Sequence, residues 1–418
     1  MHDLPREDLC LAGRPKKEQN LRDFGSQRGK SLFYRVRETL MRGALVVTAV
    51  NLAVLLSLLF LLELSGQIIA LLRPSYEVLF LQPDRALGWK QVPNLHWKWT
   101  GFHWYAADFS VDVKTNASGF RDLDRELEKS KGVNRVALIG DSLIEAVQVP
   151  FEKTGGQLLE KKLNVGEQHQ RWEVLNFSIS NYGIGQYLLV WENHAIRYQP
   201  DYVFVFVARF HFERTVHPFE MGAFKATSLR QLRIRPTFRL DHGELLREEA
   251  PDYYEFVRVQ DQLVNSEFRG QRSRRRLQFI FPYYVDLLRT AVRPWLGAST
   301  PGRPTVAPLD EYVLRLNFKI LETLGRDVAR NNSRMVIVDS APYLGDEDLS
   351  IQLKEFCNLN KFGYIPLYQV LFEANANGKP TRWKYDGHLN EFGNELLARV
   401  LHTWLATESQ TRGQPLSR

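Results

Sequence analysis

Short, unbroken runs of apolar residues alternate along this chain with helical patterns, and this alternation limits the possible folds most strongly. Residues 136–139, Tyr202–Val207 and residues 335–338 are apolar or aromatic throughout. Strands of this kind are buried on both faces, as in parallel sheets covered by helices. Residues 311–329 carry an apolar stripe at helical spacing. The alternation predicts an α/β fold with a doubly wound parallel sheet in three layers.

A second feature places the chain at a membrane. Residues 43–62 contain no charged side chain. At about 1.5 Å per residue this stretch makes roughly 30 Å of helix, the thickness of a bilayer core. Arg35, Arg37 and Arg42 precede it, and basic flanks face the cytoplasm. We expect a transmembrane signal-anchor helix over residues 43–72, with the N-terminus cytoplasmic and the main domain on the other side.

Composition excludes several classes of protein. Of the net charge of +7, a share of +4 falls in residues 1–42, so the rest of the chain is nearly neutral and no nucleic-acid partner is expected. Cys10 and Cys357 would lie on opposite sides of the membrane and predict no disulfide. The histidines are scattered without metal-site spacing, and no nucleotide-binding glycine pattern occurs, so we expect no metal and no cofactor.

Candidate catalytic residues occur at two places far apart in the sequence. Ser142 follows the apolar run 136–139 within Gly-Asp-Ser, at a predicted strand end and helix start. Asp386 and His388 stand two residues apart before the last predicted helix. A serine nucleophile, a histidine base and an aspartate that orients the histidine are what acyl transfer requires. We therefore expect Ser142, His388 and Asp386 to meet at the carboxyl edge of the sheet.

The pattern also predicts the domain organisation. Residues 1–42 are expected to form a basic, disordered cytoplasmic tail, and residues 409–418 a flexible tail. The main domain is expected over residues 84–408, with an insertion at about 209–308 because so long a stretch exceeds an ordinary connection. Arginines at 269–276 in this insertion are expected either to bind anionic lipid or acidic glycan or to form a solvated loop. The aromatic residues at 84–122 favour packing over glycan contact.

These motifs together resemble the SGNH (GDSL-type) hydrolase superfamily. Gly140-Asp141-Ser142 is similar to its first block and residues 386–390 to its last. The Asp386-x-His388 spacing is similar to that of alginate acetyltransferase-like proteins, and residues 116–122 resemble a signature of membrane-anchored bacterial members. The resemblance implies a flavodoxin-like sheet, a bacterial inner-membrane location with a periplasmic domain, and catalytic roles for Ser142, Asp386 and His388.

Two positions depart from the superfamily pattern. The second block usually supplies a glycine N–H to the oxyanion hole, and here Asn181 stands in its place. Asn181 keeps a backbone donor and tolerates the left-handed conformation. The third block usually supplies an Asn side chain, and here Ala208 and Arg209 follow the strand. Arg209 is predicted either to replace that donor or to pair with a carboxylate at the strand end.

The expected function is thus a membrane-anchored serine esterase or O-acyltransferase. The resemblance implies an acyl ester, most simply acetyl, on an envelope or exported polysaccharide or a lipid-linked substrate. The alternative is a non-catalytic subunit that keeps the fold and binds a glycan or membrane protein partners. The missing third-block Asn favours this alternative, whereas the presence of Ser142, Asp386 and His388 opposes it.

Overall fold

The structure is a computed structural model that describes residues 17–72, 80–100, 108–165, 171–221, 232–248, 308–340, 347–384 and 386–411. The chain divides into two units. The first contains helix α1 (Lys17–Leu72), and the second contains every other described element. Each unit is described by itself below.

Helix α1 is long and apolar enough between Tyr34 and Ser65 to cross a membrane. It begins at Lys17, so the expectation of disorder over residues 1–42 is wrong for residues 17–42, and residues 1–16 lie outside the described residues. An ion pair at 2.7 Å joins Arg42 to Glu38 one turn earlier. Pairs at this spacing stabilise charged helices, which explains why a polar, basic stretch continues the apolar helix toward its N-terminus.

The second unit contains thirteen strands and eight helices within the described residues. The strands are β1 (Leu81–Asp84), β2 (Gly88–Gln91), β3 (His96–Thr100), β4 (Ser110–Lys114), β5 (Val133–Ile139), β6 (Arg171–Asn176), β7 (Tyr202–Val207), β8 (Phe219–Met221), β9 (Leu232–Ile234), β10 (Thr237–Asp241), β11 (Glu244–Glu248), β12 (Arg334–Asp339) and β13 (Gly363–Ile365). The helices are α2 (Ser142–Glu145), α3 (Gly155–Leu163), α4 (Ile184–Asn193), α5 (Arg209–Thr215), α6 (Glu311–Arg330), α7 (Glu347–Asn360), α8 (Leu367–Ala376) and α9 (Glu391–Thr411).

Five strands form one sheet in the order β13-β12-β7-β5-β6, and every neighbouring pair is parallel. Numbered along the chain, this is the order 2-1-3-4-5 of the flavodoxin-like doubly wound sheet. The predicted fold class is therefore confirmed. The register pairs Leu138 of β5 with Phe204 of β7 and with Asn176 of β6, so these three strands end close together.

Alternate side chains of each strand enter different hydrophobic cores. Ala137 and Ile139 of β5 pack in the core that contains α4, α6 and α7. Val136 and Leu138 of the same strand pack in the core that contains α3, α8 and α9. A strand presents successive residues to opposite faces, so these two cores cover both sides of the sheet. Burial on both faces explains the unbroken apolar runs in the sequence.

The described residues between 80 and 122, which are 80–100 and 108–122, form two antiparallel strand pairs, β1–β2 and β3–β4, and are called the hairpin segment below. Trp99, Phe109 and Val111 form a small core there with Phe80. Trp89 is buried in the core that contains α4, α6 and α7. The described aromatic residues of the segment therefore pack inside the protein, whereas residues 101–107, which include Trp104, lie outside the described residues.

The domain limits need two corrections. The predicted insertion cannot begin at residue 209, because α5 (Arg209–Thr215) belongs to the core, where Phe212 is fully buried. The tail predicted at 409–418 is helical as far as Thr411, because α9 continues and Ser409 is buried. Residues 249–307, including the arginines at 269–276, lie outside the described residues, as do residues 412–418.

Candidate active site

The site lies where the sheet reverses its winding direction. The strand order places β5 beside β7, and the connections from these two strands lead to opposite sides of the sheet. In doubly wound sheets the carboxyl ends at this switch point leave a crevice that holds ligands. Ser142 directly follows β5 and α5 directly follows β7. The residues just after these two strands are therefore the first candidates for a site.

The turn that presents Ser142 is tightly packed. A Cβ on Gly140 would lie 2.9 Å from Ile144 Cγ1 and 3.3 Å from Phe206 Cβ, so a side chain there would collide. Asp141 caps the short helix α2 by accepting the Leu143 N–H at 3.1 Å. Helix α2 ends after one turn at Ala146, whose φ of 55° is left-handed. The turn holds Ser142 at the first position of this helix.

The structure brings Ser142, His388 and Asp386 into one hydrogen-bonded chain. Ser142 Oγ lies 2.8 Å from His388 Nε2, and Asp386 Oδ1 lies 2.5 Å from His388 Nδ1. With the carboxylate at Nδ1, the neutral imidazole carries its proton on Nδ1 and leaves Nε2 free to accept from the serine hydroxyl. This is the arrangement that activates a serine nucleophile. That these three residues catalyse a reaction remains a prediction.

Two asparagines hold the loop that carries His388. The Asn390 side chain accepts the Gly393 N–H at 2.8 Å and so caps the start of α9. The Asn394 side chain accepts the Gly155 N–H at 3.0 Å and donates to the carbonyl of Leu389 at 3.3 Å. Asn394 is fully buried, so this histidine loop is anchored to the first turn of α3.

A buried charge cluster surrounds the carboxylate of Asp141, the residue before Ser142. Arg214 Nη1 lies 2.9 Å from Asp141 Oδ2, and His211 Nε2 lies 3.2 Å from the same oxygen. Burial alone would raise the pKa of the Asp141 carboxyl, but His211 and Arg214 outweigh it and hold that pKa well below its usual range. Burial lowers the pKa of His211. Its Nδ1 accepts the Ala208 N–H, so the neutral ring carries its proton on Nε2, facing Asp141.

Neither Arg214 nor His211 was among the predicted site residues. Both lie on α5, three positions apart, and thus share one helix face. The stretch had been assigned to an insertion, and this hid the helical spacing. The predicted residue Arg209 instead pairs with Glu213 at 2.9 Å on the same helix. Its role as an oxyanion donor stays an untested prediction.

Asn181 has the backbone conformation expected at the second block. Its φ of 66° is left-handed. Its side-chain Oδ1 lies 3.4 Å from Arg214 Nη2, and Arg214 Nη1 lies 3.3 Å from the Tyr182 carbonyl. Within the described parts of the chain, neither the Ser142 N–H nor the Asn181 N–H has a hydrogen-bond acceptor. Both donors are therefore available to a ligand.

A second buried acid, Glu145, lies at the end of helix α2. Glu145 is fully buried, and its two carboxyl oxygens accept from the Gln91 amide and the Ser180 hydroxyl. Burial raises the pKa of Glu145 to about 7, although Ser180 and Arg121 oppose the shift. Glu145 was not predicted from the sequence, where a lone Glu after a Gly-Asp-Ser turn carries no signal. No group of three or more metal-ligating residues occurs in the described part of the chain.

Comparison with solved structures gives several similar proteins. A putative GDSL-like lipase from Parabacteroides merdae aligns with 69% of this chain and 100% of its own, at 11% identity and a TM-score of 0.34. An acetylxylan esterase from Geobacillus stearothermophilus aligns with 65% of this chain and 94% of its own, at 12% identity and a TM-score of 0.35. A putative G-D-S-L family lipolytic protein from Desulfitobacterium hafniense aligns with 65% of this chain and 99% of its own, at 10% identity and a TM-score of 0.35.

Two of these solved structures, those from Parabacteroides merdae and Desulfitobacterium hafniense, carry the GDSL name. At such TM-scores the alignments carry no argument about activity, which rests on the geometry of the site itself. No protein-family model and no curated protein matches the sequence.

The raised pKa of Glu145 predicts a pH dependence of stability. The unfolded carboxyl titrates near 4.5 and the folded one near 7. The folded state therefore holds the proton more tightly, and the free energy of unfolding falls as pH rises from about 4.5 to about 7. In Glu145→Gln, the free energy of unfolding should decrease less over this pH range. The test is the melting temperature of the full chain in detergent, measured at several pH values between about 4.5 and about 7.

Asp122 provides the matched control, because burial also raises its pKa to about 7 and its carboxylate accepts from the Leu123 and Asn176 N–H groups rather than from a triad residue. In Asp122→Asn, the decrease in the free energy of unfolding that comes from Asp122 should disappear, while the decrease that comes from Glu145 should remain. The double variant should therefore show the smallest change in stability with pH. A Glu145→Gln profile with the same slope as the wild type would show that folding does not raise the pKa of Glu145.

Proposed function

We propose that the chain is a membrane-anchored serine esterase or O-acyltransferase that works through an acyl-Ser142 intermediate. The observation that carries the proposal is the chain of short contacts from Ser142 Oγ through His388 to Asp386 at the switch point of the sheet. Three residues from opposite ends of the second unit are held in the order that acyl transfer requires. A non-catalytic subunit that only binds a partner would not require these three residues to contact one another in this order.

In the first half of the reaction, Ser142 Oγ attacks the carbonyl carbon of an ester while His388 Nε2 takes the hydroxyl proton. The carbonyl oxygen becomes an oxyanion. The tetrahedral species collapses when the bond from carbon to the alcohol oxygen breaks, and His388 returns the proton to the departing alcohol. Asp386 keeps the imidazole in the correct tautomer and stabilises its positive charge.

In the second half, an acceptor hydroxyl attacks the acyl group on Ser142. His388 takes the acceptor proton and then gives it to Ser142 Oγ as the ester bond to the serine breaks. Water as acceptor makes the protein an esterase, and a sugar hydroxyl makes it an O-acyltransferase. The two activities share these residues and differ in how well water is excluded from the crevice.

The oxyanion is stabilised by the backbone N–H groups of Ser142 and Asn181. Both lack acceptors among the described residues, and Arg214 ties the two together by contacting Asp141 on one side and Asn181 and Tyr182 on the other. Arg214 also places a positive charge near the developing negative one. In this proposal Arg214, rather than the predicted Arg209, supports the oxyanion site.

The substrate and location follow from the resemblance and from the charge pattern. Arg35, Arg37 and Arg42 precede the uncharged run 43–62 of the candidate helix. Because basic residues before a span favour a cytoplasmic N-terminus, we infer that the second unit lies on the outer face of the inner membrane, in the periplasm. The resemblance to membrane-anchored bacterial members favours an acetyl ester of an envelope or exported polysaccharide. The anchor would keep the enzyme beside a substrate that crosses or lines the membrane.

A fluorophosphonate probe tests the nucleophile. An activated Ser142 displaces fluoride, so the intact full chain in detergent should gain one adduct by mass spectrometry. Ser142→Ala should gain none, and Asp386→Asn should react far more slowly because the imidazole then adopts the wrong tautomer. Ser178, which is fully buried, gives the matched control, and Ser178→Ala should react like the wild type. A folded wild-type chain without an adduct would favour the non-catalytic alternative.

Arg214 gives a separate prediction. Arg214→Gln breaks the contacts to Asp141 and Asn181, and hydrolysis of p-nitrophenyl acetate should slow by about ten- to a hundredfold in kcat/KM. The control is Arg247→Gln, since Arg247 pairs with Glu192 far along the chain from the triad. Equal rates for the two variants would show that Arg214 has no part in the reaction.

A further inference from the structure

We propose that the hairpin segment is the positioning frame of the active site and that Gln91 is its decisive residue. The inference rests on the proposed function. It concerns the segment that directly follows the membrane helix in sequence. The triad itself contains no residue of this segment, but the segment contacts all three parts of the site: the nucleophile helix, the loop of Asn181 and the loop of His388.

The contact to the nucleophile helix runs through Arg121. Its guanidinium is buried and donates to the carbonyl of Glu145 at 3.2 Å, to the carbonyl of Ala146, and to the carbonyl of Val149 at 2.6 Å. Helix α2 is one turn long, so the carbonyls at its end lack donors from a following helical turn and take them from elsewhere in the chain. Arg121 thus fixes the end of the helix whose first residue is Ser142.

The contact to the loop of Asn181 runs through β2. Trp89 Nε1 donates to the Ser180 carbonyl at 3.1 Å, and the Tyr182 hydroxyl donates to the Trp89 carbonyl. The two rings meet edge to face at 5.5 Å. The residues on both sides of Asn181 are therefore tied to β2, and this fixes the left-handed backbone of Asn181 between them.

The contact to the loop of His388 runs through the end of the β3–β4 hairpin. Asp108 Oδ2 accepts the Asp386 N–H at 3.2 Å. The Phe109 ring packs 5.6 Å from the Trp383 ring, and the Trp383 N–H donates to the His388 carbonyl at 3.1 Å. The same segment therefore also sets the place of Asp386 and the histidine it orients.

Gln91 joins the first two of these contacts. It is fully buried, and its amide donates to Glu145, which in turn accepts from the Ser180 hydroxyl. Its own carbonyl oxygen has no partner among the described residues. A buried amide oxygen without a donor lowers stability, and an apolar side chain would avoid that penalty. We therefore explain the presence of the Gln91 amide by the position in which it holds Glu145, and not by a gain in stability.

This argument predicts a rate effect without a matching loss of stability. Gln91→Leu removes the donor that holds the Glu145 carboxyl, and this carboxyl is the acceptor of the Ser180 hydroxyl next to Asn181. We expect kcat for p-nitrophenyl acetate to fall about ten- to a hundredfold, with KM and the melting temperature of the full chain little changed. Gln352→Leu is the matched control, since Gln352 is a partly exposed glutamine of α7, outside the hairpin segment. It should keep wild-type kinetics.

Gln91→Glu gives a readout that a merely structural role would not move. Two buried carboxyl groups would then face each other, and they repel when both are ionised. At lower pH one is protonated and can donate to the other, which restores the bridge. The ratio of variant to wild-type kcat should therefore rise as pH falls, whereas for Gln91→Leu it should stay constant.

Trp89→Phe keeps an aromatic ring at this buried position and removes the donor to Ser180, together with part of the buried ring volume. It provides a second test if a Gln91 variant fails to fold. It too should lower kcat without lowering the melting temperature by more than a few degrees. The fluorophosphonate reaction separates the two claims. An unreactive wild-type Ser142 would overturn the proposed function and this inference with it. A reactive wild type, together with unchanged kcat in Gln91→Leu and Trp89→Phe, would overturn this inference alone.

Discussion

The buried carboxylate of Asp141 is the point on which the site depends. It caps the nucleophile helix through the Leu143 N–H, and it binds Arg214 and approaches His211 on the helix that follows the neighbouring strand. A buried carboxylate is costly unless it is paired and hydrogen-bonded. Satisfying this one group therefore forces the turn after β5 and the helix after β7 into a fixed relation.

The rest of the site is built outward from that relation. Arg214 extends it to Asn181, and Ser180 and Glu145 extend it to the hairpin segment. Each link is a hydrogen bond or ion pair that is at least partly shielded from water, although the Gln91 carbonyl oxygen has no partner among the described residues. Such a network holds its members in place, and the proposed oxyanion site needs donors that are fixed before the reaction.

The elements that were predicted correctly are those with local signals. Unbroken apolar runs revealed β5, β7 and β12, and the Gly-Asp-Ser turn placed Ser142 at the end of β5. Strand β13 (Gly363–Ile365) was missed because three residues are too few to show a period. Arg214 was missed because α5 was assigned to an insertion. The link from Gln91 to Glu145 joins residues 54 positions apart and leaves no pattern in the sequence.

The central claim is that Ser142 carries an acyl group during turnover, and direct trapping of that group tests it best. The full chain would be mixed with p-nitrophenyl acetate, quenched in acid within the first turnover, and digested for peptide mapping by mass spectrometry. The account predicts one acetyl group on the peptide that contains Ser142, formed as p-nitrophenol is released and absent in His388→Ala. Acetyl groups spread over surface lysines, or p-nitrophenol release without acetyl-Ser142, would contradict it.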